Sequence, residues 1–302
     1  MAWGLITYQD SARREDLLDV IGDVSPDETP LMTLFGTSTA RGTLHEWLEY
    51  SVSRPSSVSS DIEGADTTFG DLTQPSRTNN VTHIIKQAIQ VSRTERAVNV
   101  AGMGDPYAFQ KADALRQLKM KMEYALLNST RASGSSGVAR TMTGIDAFIT
   151  SVVTARNSGT SFSETELNDM TADAYTTVRA DKVFDMVLCT VKIKQAIAGF
   201  GGNSTRYIDA QEKRLTRDIL VYDSAVGSHR IMHHRDVRNT AGSVTVYGLR
   251  EDLHKVAYLD QPMFEELGKQ GDADRAHWVT EFTLEAIQEA ADVKRTGYAQ
   301  NG

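Results

Sequence analysis

Residues 43–96 constrain what this chain can fold into more than any other stretch. Two β-type runs, 43–52 (Thr-Leu-His-Glu-Trp-Leu-Glu-Tyr-Ser-Val) and 80–91 with its Val and Ile, flank a polar excursion at 53–79 built of Ser, Thr, Gly and Asp. A compact domain rarely holds a structureless loop of that length. A two-stranded ribbon is also marginal by itself in water. The ribbon is therefore predicted to lean on another subunit, with Trp47 among its contacts. Its charges are segregated. Asp61, Glu63, Asp66 and Asp71 sit near the tip with no base among them, whereas Arg77, Lys86, Arg93 and Arg96 lie on or just beyond the returning strand with Glu95 as the only acid. An acidic tip and a basic root could pair head-to-tail between neighbours. A solvated loop is the competing reading of the same charges.

The N-terminal stretch 1–40 has the same difficulty. Leu17, Leu18, Val20 and Ile21 make a short amphipathic turn, Pro26 and Pro30 interrupt regularity, and Leu31, Met32, Leu34 and Phe35 form an apolar cluster. Residues 36–42 are small and polar, like a flexible joint. An arm so apolar cannot bury itself and is expected to lie on something else.

The remainder reads as a body. Residues 105–128 carry the clearest helical signal, with Asp105 as N-cap, Pro106 at the first helical position, and Leu115, Leu118, Met122, Ala125 and Leu126 at helical spacing. A second helix is predicted over 164–178, a strand over 183–190, and a short helix from Val191 stopping at Gly199. Strands are predicted at 218–222, 228–232, 243–247, 255–259 and finally 277–286. Helices and strands are segregated, which gives an α+β class.

Composition limits the partners. The chain has 302 residues, room for roughly two domains of about 150 residues. Its 32 basic and 40 acidic residues leave a net charge of -8, so the bulk surface should repel DNA phosphates. That suits a container for nucleic acid better than a tight binder. Cys189 is the sole cysteine, which excludes a disulfide framework and fits folding in a reducing cytoplasm. No signal peptide opens the chain and no membrane span is expected.

Catalytic chemistry is thinly represented, and no cofactor or metal is expected. His229, His233 and His234 are the densest histidine cluster, but no acid or Cys stands at zinc-site spacing. A metal-dependent hydrolase built on them is the competing reading from a different class. His45 and Glu49 share a strand face with no sign of a pocket. The Gly-Phe-Gly-Gly run at 199–202 lacks the Lys-Ser/Thr of a phosphate loop.

The order of arm, ribbon, long helix and α+β body resembles the major capsid proteins of tailed bacteriophages, the Hong Kong 97 phage-type fold. The resemblance runs through Asp16-Leu17, Thr29-Pro30-Leu31, His45-Glu46-Trp47, Glu63-Gly64, 77–80, 91–94, 110–123, 140–145 and 281–285. It implies an N-terminal arm at 1–40, an extended loop at 41–96, and a peripheral domain at 97–180 with a spine helix at 105–128. An axial domain at 181–265 and a return to the peripheral domain at 266–302 complete it. It implies a homo-oligomer of hexamers and pentamers in the virion shell around double-stranded DNA, assembled from the host cytoplasm, and no enzymatic activity. Because the sequence starts directly with the arm, a separate scaffolding protein or prior cleavage is implied, alongside a portal and possible decoration protein. An encapsulin-type bacterial compartment has the same fold and a different cargo.

Overall fold

The computed structural model describes residues 29–50, 57–58, 60–67, 74–98, 105–178, 183–200, 221–240, 243–269 and 271–299. The amphipathic turn near Leu17 and the acidic residue Asp71 lie outside them. In chain order the elements are α1 Pro30–Leu34, β1 Gly36–Thr39, β2 Leu44–Glu49, β3 Ser76–Val81, β4 His83–Ser92, α2 Arg93–Ala97, α3 Pro106–Asn128 and α4 Ile145–Phe148. They continue with β5 Val153–Thr160, α5 Glu164–Val178, β6 Met186–Cys189, α6 Val191–Gly199, β7 Val221–Asp223, β8 Ser228–His233 and β9 Asn239–Thr240. The last four are β10 Ser243–Leu249, β11 His254–Leu267, β12 Ala273–Ala286 and β13 Val293–Tyr298. No helix among the described residues is long and apolar enough to cross a membrane.

The chain divides into two compact units. The smaller includes Lys86–Leu118 and Phe264–Trp278; the larger comprises Thr29–Ile85, Lys119–Met263 and Val279–Gly302. In the smaller unit, Ile89, Ala114 and Ala276 are buried together with Tyr107, Phe264 and Trp278 packed on them. The Trp278 indole N–H donates to the Lys111 carbonyl at 3.0 Å, and the Lys111 ammonium sits 3.9 Å from the Phe264 ring centre, a favourable cation–π placement. Ser92 caps α2 by accepting from the Glu95 N–H, the sequence pattern of a capping box.

The larger unit is organised on a mixed sheet in the order β5-β13-β10-β6-β8-β7, with β9 on β10. Its core joins Val187, Val244, Val246, Val293 and Tyr298 to Leu167, Met170, Ile193 and Ile197 from α5 and α6. A second sheet has the order β1-β11-β12-β4, and β2 and β3 form the two-stranded ribbon. The helix predicted over 105–128 forms as α3. Asp105 accepts from the Tyr107 N–H at 3.0 Å, and Leu118, Met122, Ala125 and Leu126 are buried at helical spacing. Its 23 residues make it about 35 Å long. Gly144 meets its C-terminal end: a Cβ there would lie 2.8–2.9 Å from the Ser129 N and the Ala125 and Leu126 carbonyls, so only glycine allows the approach.

Three sequence readings need correction. The ribbon's return strand is Ser76–Val81, not 80–91; β4 follows it into the four-stranded sheet beside β12. The cause is Asn80. Fully buried, it donates to the Thr143 and Leu284 carbonyls at 3.0 and 2.9 Å and accepts from the Val81 and Thr143 N–H at 2.9 and 2.8 Å. That network anchors the chain where it leaves the ribbon. Residues 36–42 are not simply a joint, because Gly36–Thr39 pairs in parallel with 255–258 of β11. The strand ending at Ala286 is not the last, since β13 lies inside the mixed sheet between β5 and β10. At Gly297 (φ 97°) that strand breaks register and passes so close to the Arg156 backbone that a Cβ could not fit.

Buried charged groups join distant segments of the larger unit. Glu123 of α3 accepts from the Leu31 and Met32 N–H at 2.7 and 3.0 Å and from His234 Nε2 at 2.8 Å. Glu285 accepts from the Ser38 hydroxyl at 2.8 Å and lies 3.2 Å from His45 Nε2 and 3.7 Å from the Lys255 ammonium. Asp146 takes the Lys294 ammonium, an Arg238 N–H and the Tyr247 hydroxyl at 2.6, 2.6 and 2.8 Å. Burial alone would raise its pKa; Lys294, Tyr247 and Arg238 together lower it. His254 donates from Nδ1 to the Arg250 carbonyl at 2.8 Å and faces Asp292 at 3.1 Å through Nε2. Both ring nitrogens meet acceptors, which favours the protonated ring. Burial opposes that charge, and Asp292 overrides it, raising the pKa.

Asn80→Ala would strand four buried backbone groups, each costing about 1–3 kcal/mol. We expect a loss of about 3 kcal/mol or more in urea unfolding, with Asn80→Asp little better because a carboxylate cannot donate to two carbonyls. His254 adds a pH signature. Its folded pKa is raised, so its contribution is complete below about pH 6.5 and fades as pH rises through the folded value. The unfolding midpoint should decline on the alkaline side in the natural chain and lose that component in His254→Asn; parallel profiles would contradict the assignment.

Candidate assembly surfaces

The ribbon has two unlike faces because strand side chains alternate. Its register runs from Leu44↔Val81 through His45↔Asn80 to Glu49↔Ser76. His45, Trp47 and Glu49 take one side. Trp47, expected among the contacts with another subunit, is instead packed within its own chain: it is 9% exposed, its ring centre lies 6.4 Å from that of Phe148, and its N–H donates to Glu49 at 2.9 Å. The other side carries Leu44 and Leu48, 47% and 66% exposed, and Tyr50 follows at 62%. Leu48 and Tyr50 open onto a groove of about 350 Å³ shared with Ser76, Thr177 and Ile287. Farther along, Val58 and Ile62 are 90% and 83% exposed. Single exposed apolar residues are ordinary, but a series along one element marks an interaction surface.

The predicted charged contacts are distributed as follows. Asp61, Glu63 and Asp66 are exposed around a turn closed by the Ala65 N–H on the Ile62 carbonyl at 3.0 Å. Gly64, at φ 84°, supplies the left-handed position that turn requires. Arg77 lies 3.4 Å from Glu46 across the ribbon, with both side chains well exposed. Lys86, Arg93 and Arg96 belong to the smaller unit. Arg96 donates to Asp274 at 2.7 Å and lies 3.8 Å from Asp105; Lys269 reaches the same Asp274 at 2.8 Å. The Lys269 and Arg96 bonds hold the Asp274 pKa down. Arg77 and Arg96 thus already have partners in their own chain. Solvent screens exposed pairs of this kind, so they contribute little to stability and can be exchanged for another partner.

The histidine cluster has separate structural partners. His229 donates to the Phe184 carbonyl and contacts Ser224 Oγ, both at 2.8 Å, and burial lowers its pKa. His234 faces Glu123 through one nitrogen and accepts the Asp236 N–H at 3.1 Å through the other. His233 is exposed at the end of β8. Cys189 is buried, with its thiol pushed up to about 12 by burial, which is the behaviour of a packing residue. His45 pairs with Glu285 rather than with Glu49. Sequence reasoning missed Glu123 and Glu285. The only signal available was a carboxylate beside an otherwise apolar helical or strand face.

Several known proteins resemble this chain in sequence or shape. The major capsid protein of Escherichia phage Phieco32 is 24% identical over 149 residues, 49% of this chain and 40% of that protein, so the match spans less than half of that relative. The capsid of Myoviridae phage XM1 superposes with a TM-score of 0.62 at 11% identity, covering 94% of this chain and 96% of that one. A chain of Gordonia phage Cozz gives 0.60 at 16% identity over 94% and 91%. The holo-SrpI encapsulin complex of Synechococcus elongatus PCC 7942 gives 0.61 at 10% identity over 99% and 97%. At such identities the structures establish the α+β Hong Kong 97-type fold. The sequence profile of the SU10 major capsid protein family matches residues 5–299, and with nearly the whole chain covered, the protein belongs to the SU10 major capsid protein family.

Proposed function

We propose that many copies of this chain build the closed icosahedral or prolate head of a tailed phage around double-stranded DNA, without enzymatic activity. The observation that carries this reading is the exposed apolar face of the ribbon in a member of a capsid family. Leu44, Leu48 and Tyr50 gain burial only from a neighbour, at about 25 cal/mol per Å². In a closed symmetric lattice each weak contact recurs at every copy.

In this reading 1–40 is the arm, 41–96 the extended loop, 97–180 the peripheral domain with its spine helix, 181–265 the axial domain and 266–302 the return. Asp61, Glu63, Asp66 and Asp71 of one copy face Arg77, Lys86, Arg93 and Arg96 of the next, and Trp47 holds the ribbon root rigid for that contact. Assembly proceeds in the host cytoplasm with a scaffolding protein and a portal, and a decoration protein can follow. The net charge of -8 lets the shell contain DNA without adhering to it.

Leu44→Ser with Leu48→Ser tests the contact. Both positions are exposed, so unfolding should shift by no more than about 0.5 kcal/mol. Shell yield in electron micrographs should fall at least about tenfold, a change of about 1.4 kcal/mol summed over the contacts of one copy. Normal shells from the variant would defeat the proposal, and shells filled with protein cargo and no genome would replace the phage head with a compartment.

A further inference from the structure

Residues 29–40, which hold α1 and β1, are attached to the rest of the larger unit through polar groups of one kind. At the first point the Leu31 and Met32 N–H donate to Glu123, whose carboxylate also meets His234. At the second, the Phe35 ring stacks on His254 with centres 5.0 Å apart and planes 20° apart, and His254 is held by Asp292. At the third, the Ser38 hydroxyl donates to Glu285, which His45 also approaches. Each point rests on a buried carboxylate facing a histidine. The other groups facing these pairs are Lys255 on Glu285, and the Arg250 carbonyl and more distant Asp185 on His254.

Among the described residues, little else holds the segment beyond strand pairing. β1 is an edge strand whose pairing with β11 covers four residues, and Leu31 and Phe35 supply its principal buried apolar surface. Glu123 is surrounded by donors only, so an uncharged amide in its place would turn a donor toward an N–H. Glu285 is likewise faced by donors.

We propose that residues 29–40 form a charge-latched strap, which detaches as a unit while the sheet core of the larger unit stays folded. The latch has a direction in pH. Burial works against the Glu285 charge, but Ser38, His45 and Lys255 outweigh it and leave the pKa lowered. Its grip is therefore present above the ordinary carboxylate range and lost as pH falls through the lowered value. His254 acts oppositely: its raised pKa keeps the grip below about pH 6.5 and releases it as pH rises through the folded value. The strap is tightest between those limits. Opening uncovers the β11 edge at 255–258, whose backbone groups can accept another extended strand.

The strap needs no neighbouring copy, so it is tested on the unassembled full chain, independently of shell formation. Amide protection factors for 31–40 and for β10 are compared by hydrogen exchange between pH 7 and about pH 3, below the ordinary carboxylate range. Protection of the strap should fall at least about tenfold toward acid while β10 keeps its protection. Glu123→Gln should give the same selective loss already at pH 7. Ser38→Ala removes one latch contact at the sheet edge and should give a smaller selective loss, so it serves if Glu123→Gln fails to fold. Strap and β10 losing protection together, or a strap unmoved by acid and by Ser38→Ala, would overturn the proposal.

Discussion

The Glu123 carboxylate is buried away from bulk solvent, and the donors it accepts from lie far away in sequence. Two are backbone N–H groups of α1, and one is the His234 ring at the end of β8. A carboxylate in such a place is tolerable only when its partners are in position. Tertiary arrangement of α1, α3 and the β8 end is thereby coupled: displacing any one exposes the others to an uncompensated charge. Asp146 and Glu285 repeat the device. Asp146 connects α4 to β10, β13 and Arg238, and Glu285 connects β12 to β1, β2 and β11.

These junctions divide the molecule into surfaces that are internally satisfied and surfaces that are not. The ribbon's inner side is secured by Trp47, Phe148 and the His45–Glu285 pair, and its root by Asn80. Its outer side is left apolar and open at Leu44 and Leu48. A rigid root presenting an unsatisfied face is what repeated assembly requires, because a mobile ribbon would lose entropy at every contact. Family membership and this asymmetry are independent, and they agree.

Much of the architecture was legible in the sequence where a segment carries its own signal. Asp105-Pro106 and the Leu118-Met122-Leu126 stripe specify α3 locally. Val191 to Gly199 reads as a helix from composition and its glycine stop. β1, β5 and β13 carry no such signal. Gly-Thr-Ser-Thr in β1 is a strand because β11 offers it an edge. β13 is interrupted by Lys294, Arg295 and Gly297, and its buried Arg295 meets Asp173 at 2.6 Å. The ribbon's return strand was misplaced for the same reason. Val81 to Val91 looks continuous by β-propensity, and only the Asn80 network shows where the chain changes sheets.

The sequence by itself determined that a two-stranded ribbon precedes a long helix, that the class is α+β, and that a net charge of -8 disfavours tight nucleic-acid binding; it did not show that Leu31 and Phe35 of the arm are buried within their own chain. Those conclusions follow from composition and periodicity, which act residue by residue. The tertiary structure decided which face of the ribbon stays open and which carboxylates hold the arm's root. It also decided that the clustered histidines serve three different neighbourhoods. Such outcomes depend on pairs of residues a hundred or more positions apart, as Glu123 and His234 are, and no local pattern encodes a partner at that distance.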